Sequence, residues 1–155
     1  MRLARTGALL LVSFAAGAAL MAVAGPAQDP KPIASGVVPW SGTPEVFPWG
    51  EMRKAFTGES FATKKLFVSS FVLKAGMEVH PPHRHAQEEF MTMVEGSGTW
   101  HLDGKEIPAK KGDVIYVAPW LKHGLKNTGE TSLVYFVAQW NPKGMEAAAD
   151  PEKAK

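Results

Sequence analysis

The sequence predicts an all-β fold, a sandwich or a barrel, for most of the 155-residue chain. From Lys64 onward, short runs rich in β-branched and aromatic residues recur, and turn signals such as Glu95-Gly96-Ser97-Gly98 separate them. Such runs at short intervals are typical of all-β sandwiches and barrels. A content of 45% hydrophobic and 21% charged residues is that of a packed globular domain.

The individual strands follow from these runs, taken in chain order. Asp103-Gly104 is the strongest hairpin signal, because this dipeptide readily adopts the turn that joins two antiparallel strands. The predicted strands are Leu66–Leu73, Phe90–Val94, Thr99–Leu102, Lys105–Ile107, Asp113–Ala118 and Leu133–Trp140.

The N-terminal residues 1–24 have the layout of a signal peptide. Arg2 and Arg5 precede an uncharged, apolar stretch that ends in the small-residue exit Ala22-Val23-Ala24. An uncleaved membrane anchor is the alternative, but the many Ala and Gly residues make this stretch weakly hydrophobic and favour cleavage. We therefore expect an exported protein, periplasmic or secreted, with no membrane attachment after cleavage.

The mature chain divides into three parts. Residues 25–60 are rich in Pro, Gly and Ser and read as an extended N-terminal arm, with a possible short helical turn over Gly50–Thr57. The large apolar residues of the arm suggest that it lies along the domain or across a neighbouring subunit. Residues 61–142 form the barrel, and residues 143–155 form a charged, Ala-rich tail that we expect to be frayed.

Charge and cysteine content limit the possible functions. The net charge is +2, and the doublets Lys64-Lys65 and Lys110-Lys111 are the only basic clusters, so nothing indicates a nucleic-acid partner. With no cysteine, the chain cannot form disulfides or carry a lipid on cysteine. Any metal site must be built from histidine and carboxylate side chains.

One stretch, VHPPHRHAQEEF (residues 79–90), concentrates three of the five histidines. On an extended strand His83 and His85 project to the same face, Glu89 recovers that parity, and Glu88 points outward. His123 follows an apolar strand, so a sheet can bring it opposite the pair. Three neutral imidazoles and a carboxylate suit a divalent Fe, Mn, Ni, Zn, Co or Cu ion.

These residues and their surroundings resemble the cupin superfamily. The first motif of that family is a glycine, H-x-H, a glutamate and a second glycine, and this chain has Gly76, His83, His85, Glu89 and Gly96 in that order. The second motif is a glycine, a proline, a histidine and an asparagine, which here are Gly112, Pro119, His123 and Asn127.

The resemblance covers about residues 65–140 and implies a fold, a metal and a partner. The implied fold is a double-stranded β-helix, a small jelly-roll barrel, which holds one divalent metal ion through His83, His85, Glu89 and His123. Many members pair through the outer sheet, so a homodimer is expected. The chain departs from the family where Trp120-Leu121-Lys122 replaces a glycine-containing turn, which suggests that Trp120 and Lys122 sit at the mouth of the site.

Ordinary structural roles compete with these assignments. The four candidate ligands can instead line a metal-free pocket. His80 has the opposite parity to His83 and fits an exposed or supporting role, and His101 should face outward. Met91 and Met93 share the parity of Glu89 and fit core packing. Tyr116 fits ordinary strand packing better than a role as pocket acid.

The expected function is that of an exported metalloenzyme with a small organic substrate, and dioxygenase-like oxidation fits the donor set best. The residues identify no separate catalytic acid or base. A non-catalytic module that binds or senses a small molecule such as a sugar, and a metal-dependent lyase or isomerase, are the alternatives. A purely structural, dimer-forming protein gives no reason for the complete ligand set.

Overall fold

The computed structural model describes residues 32–153. These residues contain nine β-strands and no helix. The strands are β1 (Glu45–Phe47), β2 (Gly50–Gly58), β3 (Thr63–Leu73), β4 (Glu88–Glu95), β5 (Ser97–Leu102), β6 (Lys105–Lys110), β7 (Val114–Val117), β8 (His123–Lys126) and β9 (Leu133–Pro142).

The strands form two antiparallel sheets. The larger has the order β1-β2-β3-β9-β4-β7, and the smaller has the order β6-β5-β8. The long β9 lies between β3 and β4 and pairs with both, so it joins the first strands to those around the histidine-rich segment. This all-antiparallel architecture is the predicted jelly-roll barrel.

The hairpin predicted at Asp103-Gly104 is confirmed. Asp103 has φ 50° and Gly104 has φ 75°, and the flanking Leu102 and Lys105 are paired in the register of β5 and β6. Positive φ at both central residues gives the turn a twist that matches the twist of the flanking strands.

Alternation along the strands builds the core. In β4 the side chains of Glu89, Met91 and Met93 are buried, whereas Phe90 and Val94 are exposed. The inward parity expected for the two methionines is therefore confirmed. The buried apolar side chains that form the core are Phe71, Leu73, Met91, Met93, Trp100, Ala109, Ile115, Val117, Leu125, Leu133, Tyr135 and Val137.

The region predicted as an arm contains two strands. The helical turn expected over Gly50–Thr57 is wrong, because these residues belong to β2 and pair with β3 along its whole length. The burial of β2 follows no clean alternation, since the successive residues Glu51, Met52 and Arg53 are all only partly buried. The sequence pattern of β2 does not indicate a strand. Its extended conformation is set by pairing with β3.

The structure describes the C-terminal tail through residue 153 but not the N-terminal segment. The predicted signal peptide, 1–24, lies outside the described residues. Among the residues that are described, no helix is long and apolar enough to cross a membrane. The C-terminal tail was expected to fray, but up to residue 153 it contacts the barrel. Trp120 donates a hydrogen bond to the carbonyl of Ala148, and Arg84 forms ion pairs with Asp150 and Glu152.

Candidate metal centre

His83 and His123 are held together by their backbones. Each donates its N–H to the carbonyl oxygen of the other, at 2.9 Å and 2.8 Å, in an isolated antiparallel bridge. Gly124 permits this approach, because a Cβ at that position would lie 3.2 Å from the Cα of Pro82. The segment before β4 and the start of β8 therefore meet where the sequence places its candidate ligands.

The candidate ligand side chains converge at this junction. His83, His85 and His123 each offer one nitrogen, and these atoms lie within 4.8 Å of one another. The carboxylate of Glu89 contacts two of them, with Oε2 at 3.4 Å from Nε2 of His85 and Oε1 at 3.5 Å from Nε2 of His123. The structure thus brings together the four residues that the sequence predicts.

Backbone carbonyls orient two of the imidazoles. Nδ1 of His85 lies 3.1 Å from the carbonyl of Gln87, and Nδ1 of His123 lies 2.8 Å from that of Leu121. A carbonyl only accepts, so each Nδ1 carries the proton when the ring is neutral. Nε2 then keeps its lone pair toward Glu89, as in histidines that bind a metal through Nε2.

Gln139 contributes to the site although the sequence did not single it out. Its Nε2 lies 2.9 Å from Nε2 of His85 and donates to Oε2 of Glu89 at 3.2 Å. Gln139 lies on β9 with the same parity as the buried Tyr135 and Val137. A polar residue at an inward position of an apolar strand is the signal that identifies it.

Burial and mutual charge set the protonation states. Burial would raise the pKa of Glu89, but the neighbouring His123 and His85 outweigh it and lower the pKa to about 2. Burial would lower the pKa of His123, but Glu89 and the Leu121 carbonyl raise it. Burial, followed by the charges of the neighbouring histidines, lowers the pKa of His83 to about 4. Glu89 is therefore ionised and His83 neutral at neutral pH.

The donor set fits a divalent metal. Nδ1 of His83 and Nε2 of His123 are buried and have no hydrogen-bond partner. A buried, unpaired ring nitrogen is costly unless something binds it. Three imidazoles and an ionised carboxylate supply the nitrogen and oxygen donors that borderline divalent ions prefer.

A cavity of about 290 Å³ opens beside this cluster. Its polar side chains, including Glu89, His123 and Gln139, belong to the cluster or border it, and the rest of its wall is mainly apolar and aromatic. Within residues 32–153, no lysine or arginine lines this cavity. The apolar and aromatic lining comprises Met52, Phe67, Phe71, Val79, Met91, Leu125, Tyr135 and Val137.

His80 borders the cavity, whereas Glu88 and Tyr116 do not. His80 is exposed, and its ring meets that of His83 edge-on with centroids 4.0 Å apart, so it borders the cavity beside a candidate ligand. Glu88 points away from the cluster and accepts a 2.7 Å hydrogen bond from the hydroxyl of Tyr116. Tyr116 is 46% exposed and is therefore no pocket acid.

Other candidates lie away from the cavity. His101 is partly exposed, with Nδ1 3.6 Å from Oε1 of Glu106. Trp120 and Lys122 do not line the main cavity. They line a second cleft together with Arg84, Glu152 and the candidate ligand His83, so they lie beside the site and outside the main cavity. The indole of Trp120 turns toward the C-terminal tail.

The fold and the site together define the class of protein: a small antiparallel jelly-roll barrel with three histidines and a buried glutamate beside an internal cavity. Residues 69–138 match the cupin domain family. The chain belongs to the cupin superfamily.

Relatives with assigned names fall into more than one functional class. Over 86 residues the chain is 31% identical to an oxalate-binding protein from Thermotoga maritima, covering 55% of this chain and 70% of that protein. Over 81 residues it is 32% identical to a gentisate 1,2-dioxygenase from a Streptomyces species, covering 52% of this chain and 22% of that enzyme. The chain thus spans less than a quarter of the dioxygenase.

Solved structures agree on the fold. A structure described as a predicted oxalate decarboxylase from Thermotoga maritima superposes with a TM-score of 0.55 at 22% identity, covering 64% of this chain and 92% of that one. A cupin 2 conserved barrel domain protein from Salinispora arenicola gives a TM-score of 0.56 at 17% identity, covering 70% and 91%. At these identities the likeness concerns the barrel alone.

Proposed function

We propose that this protein is a metal-dependent cupin that binds one divalent ion through His83, His85, Glu89 and His123 and oxidises a small organic substrate in a dioxygenase-like reaction. The observation that carries the proposal is the convergence of three imidazoles and a buried carboxylate at the wall of an apolar cavity. The relative named gentisate 1,2-dioxygenase supports this class of reaction.

The residues divide the work between them. A metal held by His83, His85, Glu89 and His123 would supply Lewis acidity toward dioxygen or a substrate oxygen. His85 and His123 present Nε2 to it because their Nδ1 atoms face backbone carbonyls. Gln139 lies within hydrogen-bonding distance of this centre, so its amide is placed to orient a substrate oxygen. The mainly apolar and aromatic wall provides a surface of low polarity for the body of a substrate.

The cavity also limits the substrate. Its polar groups gather around the candidate ligands, and its apolar wall carries no lysine or arginine in the described part of the chain. A carboxylate or phosphate remote from the metal would lose its hydration without gaining a cation there. We therefore propose a small substrate with an apolar or aromatic body and metal-binding oxygen atoms at one end.

A non-catalytic binding module is the second candidate. The relative named oxalate-binding protein, of which the chain covers 70%, favours it. In that case the metal would retain a small oxygen ligand without turnover. The two candidates share the metal and differ in whether the bound molecule is consumed.

Reconstitution tests the proposal. The metal-free protein is titrated with Fe(II), Mn(II), Co(II), Ni(II), Cu(II) and Zn(II), and metal content is measured after desalting. We expect one equivalent of at least one ion. Oxygen uptake is then followed with phenolic, diketone and sugar panels. Absence of stoichiometric binding would overturn the metal site, and binding without oxygen uptake would favour the binding module.

We further propose that the chain is exported and forms a homodimer. The layout of residues 1–24 supports export. Exposed aromatic and apolar residues on the outer face of the larger sheet support pairing of two copies, since Phe90 packs against Tyr116 and Trp140 there with centroids 5.2 and 5.6 Å apart. A mature N-terminus near Gly25 and a dimer mass in light scattering are expected. An uncleaved N-terminus or a monomer at micromolar concentration would contradict them.

A further inference from the structure

The C-terminal tail folds back onto the two segments that carry the candidate ligands. Nε1 of Trp120 donates to the carbonyl of Ala148 at 2.6 Å. Arg84 forms an ion pair with Glu152, and its Nη2 lies 3.8 Å from Oδ1 of Asp150. Residues 148–152, which we call the C-terminal strap, therefore hold to the barrel through Arg84 and Trp120.

Both anchors lie next to candidate ligands. Arg84 lies between His83 and His85 in sequence. Trp120 lies three residues before His123 in sequence. Its backbone N–H donates to the carbonyl of His85 at 2.7 Å. The strap thus bridges the segment that carries His83 and His85 and the segment that leads into His123. The strap takes no part in strand pairing, because the ladders involve no residue beyond Pro142.

The backbone of Trp120 supports a specific role for its side chain. Its φ is 66°, in the left-handed region that a bulky residue rarely adopts. Glycine would occupy this position without strain. Trp120 accepts an unfavourable backbone and places its indole where it reaches the strap.

We propose that the C-terminal strap positions the two ligand-bearing segments and slows release of the metal, with Arg84 and Trp120 as positioning residues. This inference rests on the proposed metal binding. The strap adds a second tie across the site, beside the backbone hydrogen bonds that join the two segments directly. Its contacts at Ala148 and Glu152 oppose separation of His85 from the segment before His123. Removing it lets these segments open more often and shortens the time for which the metal stays bound.

The size of the effect follows from the contacts. One hydrogen bond and the two ion pairs of Arg84 restrain the strap, and each of these interactions is of modest strength. We expect release of the metal to become about three- to tenfold faster when the strap is lost.

Chelator-driven release from the full chain loaded with Zn(II) or Co(II) tests the proposal. The variants are a truncation after Ala147, Arg84→Ala and Trp120→Phe, which keeps an aromatic ring without the N–H donor. All three should release the metal faster and alter the Co(II) absorption spectrum. Arg84→Lys should restore part of the slow release, and Lys153→Ala, an exposed tail substitution, should leave it unchanged.

Trp120→Gly separates positioning from general stability. It removes the indole and relieves the backbone at φ 66°, so the unfolding temperature should hold or rise while metal release becomes faster. A merely structural role would move both in the same direction. Equal release rates in the wild-type and truncated proteins would overturn the proposal.

Hydrogen exchange of the metal-free protein tests the positioning role of the strap without relying on bound metal. Truncation should increase exchange at the amides of His83 and Trp120, both of which are hydrogen-bonded across the two segments. If the wild type binds no metal, the proposed function fails. Unchanged exchange would then overturn the positioning role of the strap as well.

Discussion

His83 and His123 exchange two backbone hydrogen bonds, so the main chain fixes the relative position of two candidate ligands before either side chain acts. Sites built on paired strands are positioned more precisely than sites on loops, and substitution of a ligand side chain leaves these backbone hydrogen bonds in place. This property makes side-chain substitutions in the cluster informative, because their effects on metal binding can be separated from effects on folding.

Replacing His85 with alanine should abolish stoichiometric metal binding. The substitution removes one of three nitrogen donors and leaves the bridge between His83 and His123 in place. We expect at least about a hundredfold weaker binding, measured by titration calorimetry or chelator competition, since even the groups that support a ligand contribute tenfold or more. His101→Ala is the matched control, because His101 contacts Glu106 on the smaller sheet. Full metal content in His85→Ala would remove this residue from the ligand set.

Replacing Gln139 with leucine should lower the unfolding free energy of the metal-free protein and raise its apparent affinity for metal. Without metal, the amide of Gln139 donates to Glu89 and lies against Nε2 of His85. Loss of these contacts should cost about 1 kcal/mol of unfolding free energy. A metal no longer competes with the amide for the same lone pairs, so its apparent affinity should rise about fivefold.

Thermal unfolding with and without metal measures both effects. Gln87→Leu is the control, because its amide donates to Asn141 while its backbone carbonyl still faces His85. A lower metal affinity in Gln139→Leu would show that the amide supports the loaded site and would contradict the competition described above.

The sequence predicted those features that local pattern alone determines. Alternation in β4 placed Glu89, Met91 and Met93 inside, and Asp103-Gly104 identified the β5–β6 turn. Both depend on residues that are close in the chain, so short-range rules suffice.

Features that depend on distant partners escaped prediction. Strand β2 has no clear periodicity and is fixed by pairing with β3. Gln139 joins the site because β9 lies beside β4, where it is paired with Glu89. The indole of Trp120 turns outward because the tail returns to meet it. In each case the decisive neighbour is remote in sequence, and no local rule refers to it.

Asn127 should prove structural although it belongs to the second cupin motif. It is fully buried, its Nδ2 donates to the carbonyls of Leu73 and Thr131, and its Oδ1 accepts from the N–H of Gly129. Asn127→Ala leaves these buried backbone groups unpaired, which should cost about 2–3 kcal/mol. Denaturant unfolding measures the loss, and metal stoichiometry should remain at the wild-type value. A loss of metal binding in a variant that is still folded would contradict the structural role.

The metal-free protein should lose stability as the pH falls from about 6.5 toward 4. The pKa of His83 is lowered from its ordinary value of 6.5 to about 4, first by burial and then by the neighbouring histidines. Between these values the unfolded chain binds a proton that the native state does not, so stability rises with pH across the window. The native Glu89, with a pKa lowered from 4.5 to about 2, remains ionised there, so its protonation in the unfolded chain adds to the loss at the lower end of the window. The pKa of His123 is raised despite its burial, chiefly by Glu89, so His123 does not produce this loss.

His83→Gln should therefore flatten this dependence. Glutamine does not titrate, so the contribution of His83 disappears, while the backbone bridge to His123 is retained. After allowance for the partial exposure of His83, we expect the fall in unfolding free energy between pH 6.5 and 4 to shrink by on the order of 1–2 kcal/mol. Denaturant unfolding of chelator-treated protein at several pH values measures it, with His101→Gln as the control that should follow the wild type. Parallel curves of unfolding free energy against pH for His83→Gln and the wild type would show that His83 titrates normally in the native state. The candidate metal centre would then be less desolvated than its geometry indicates.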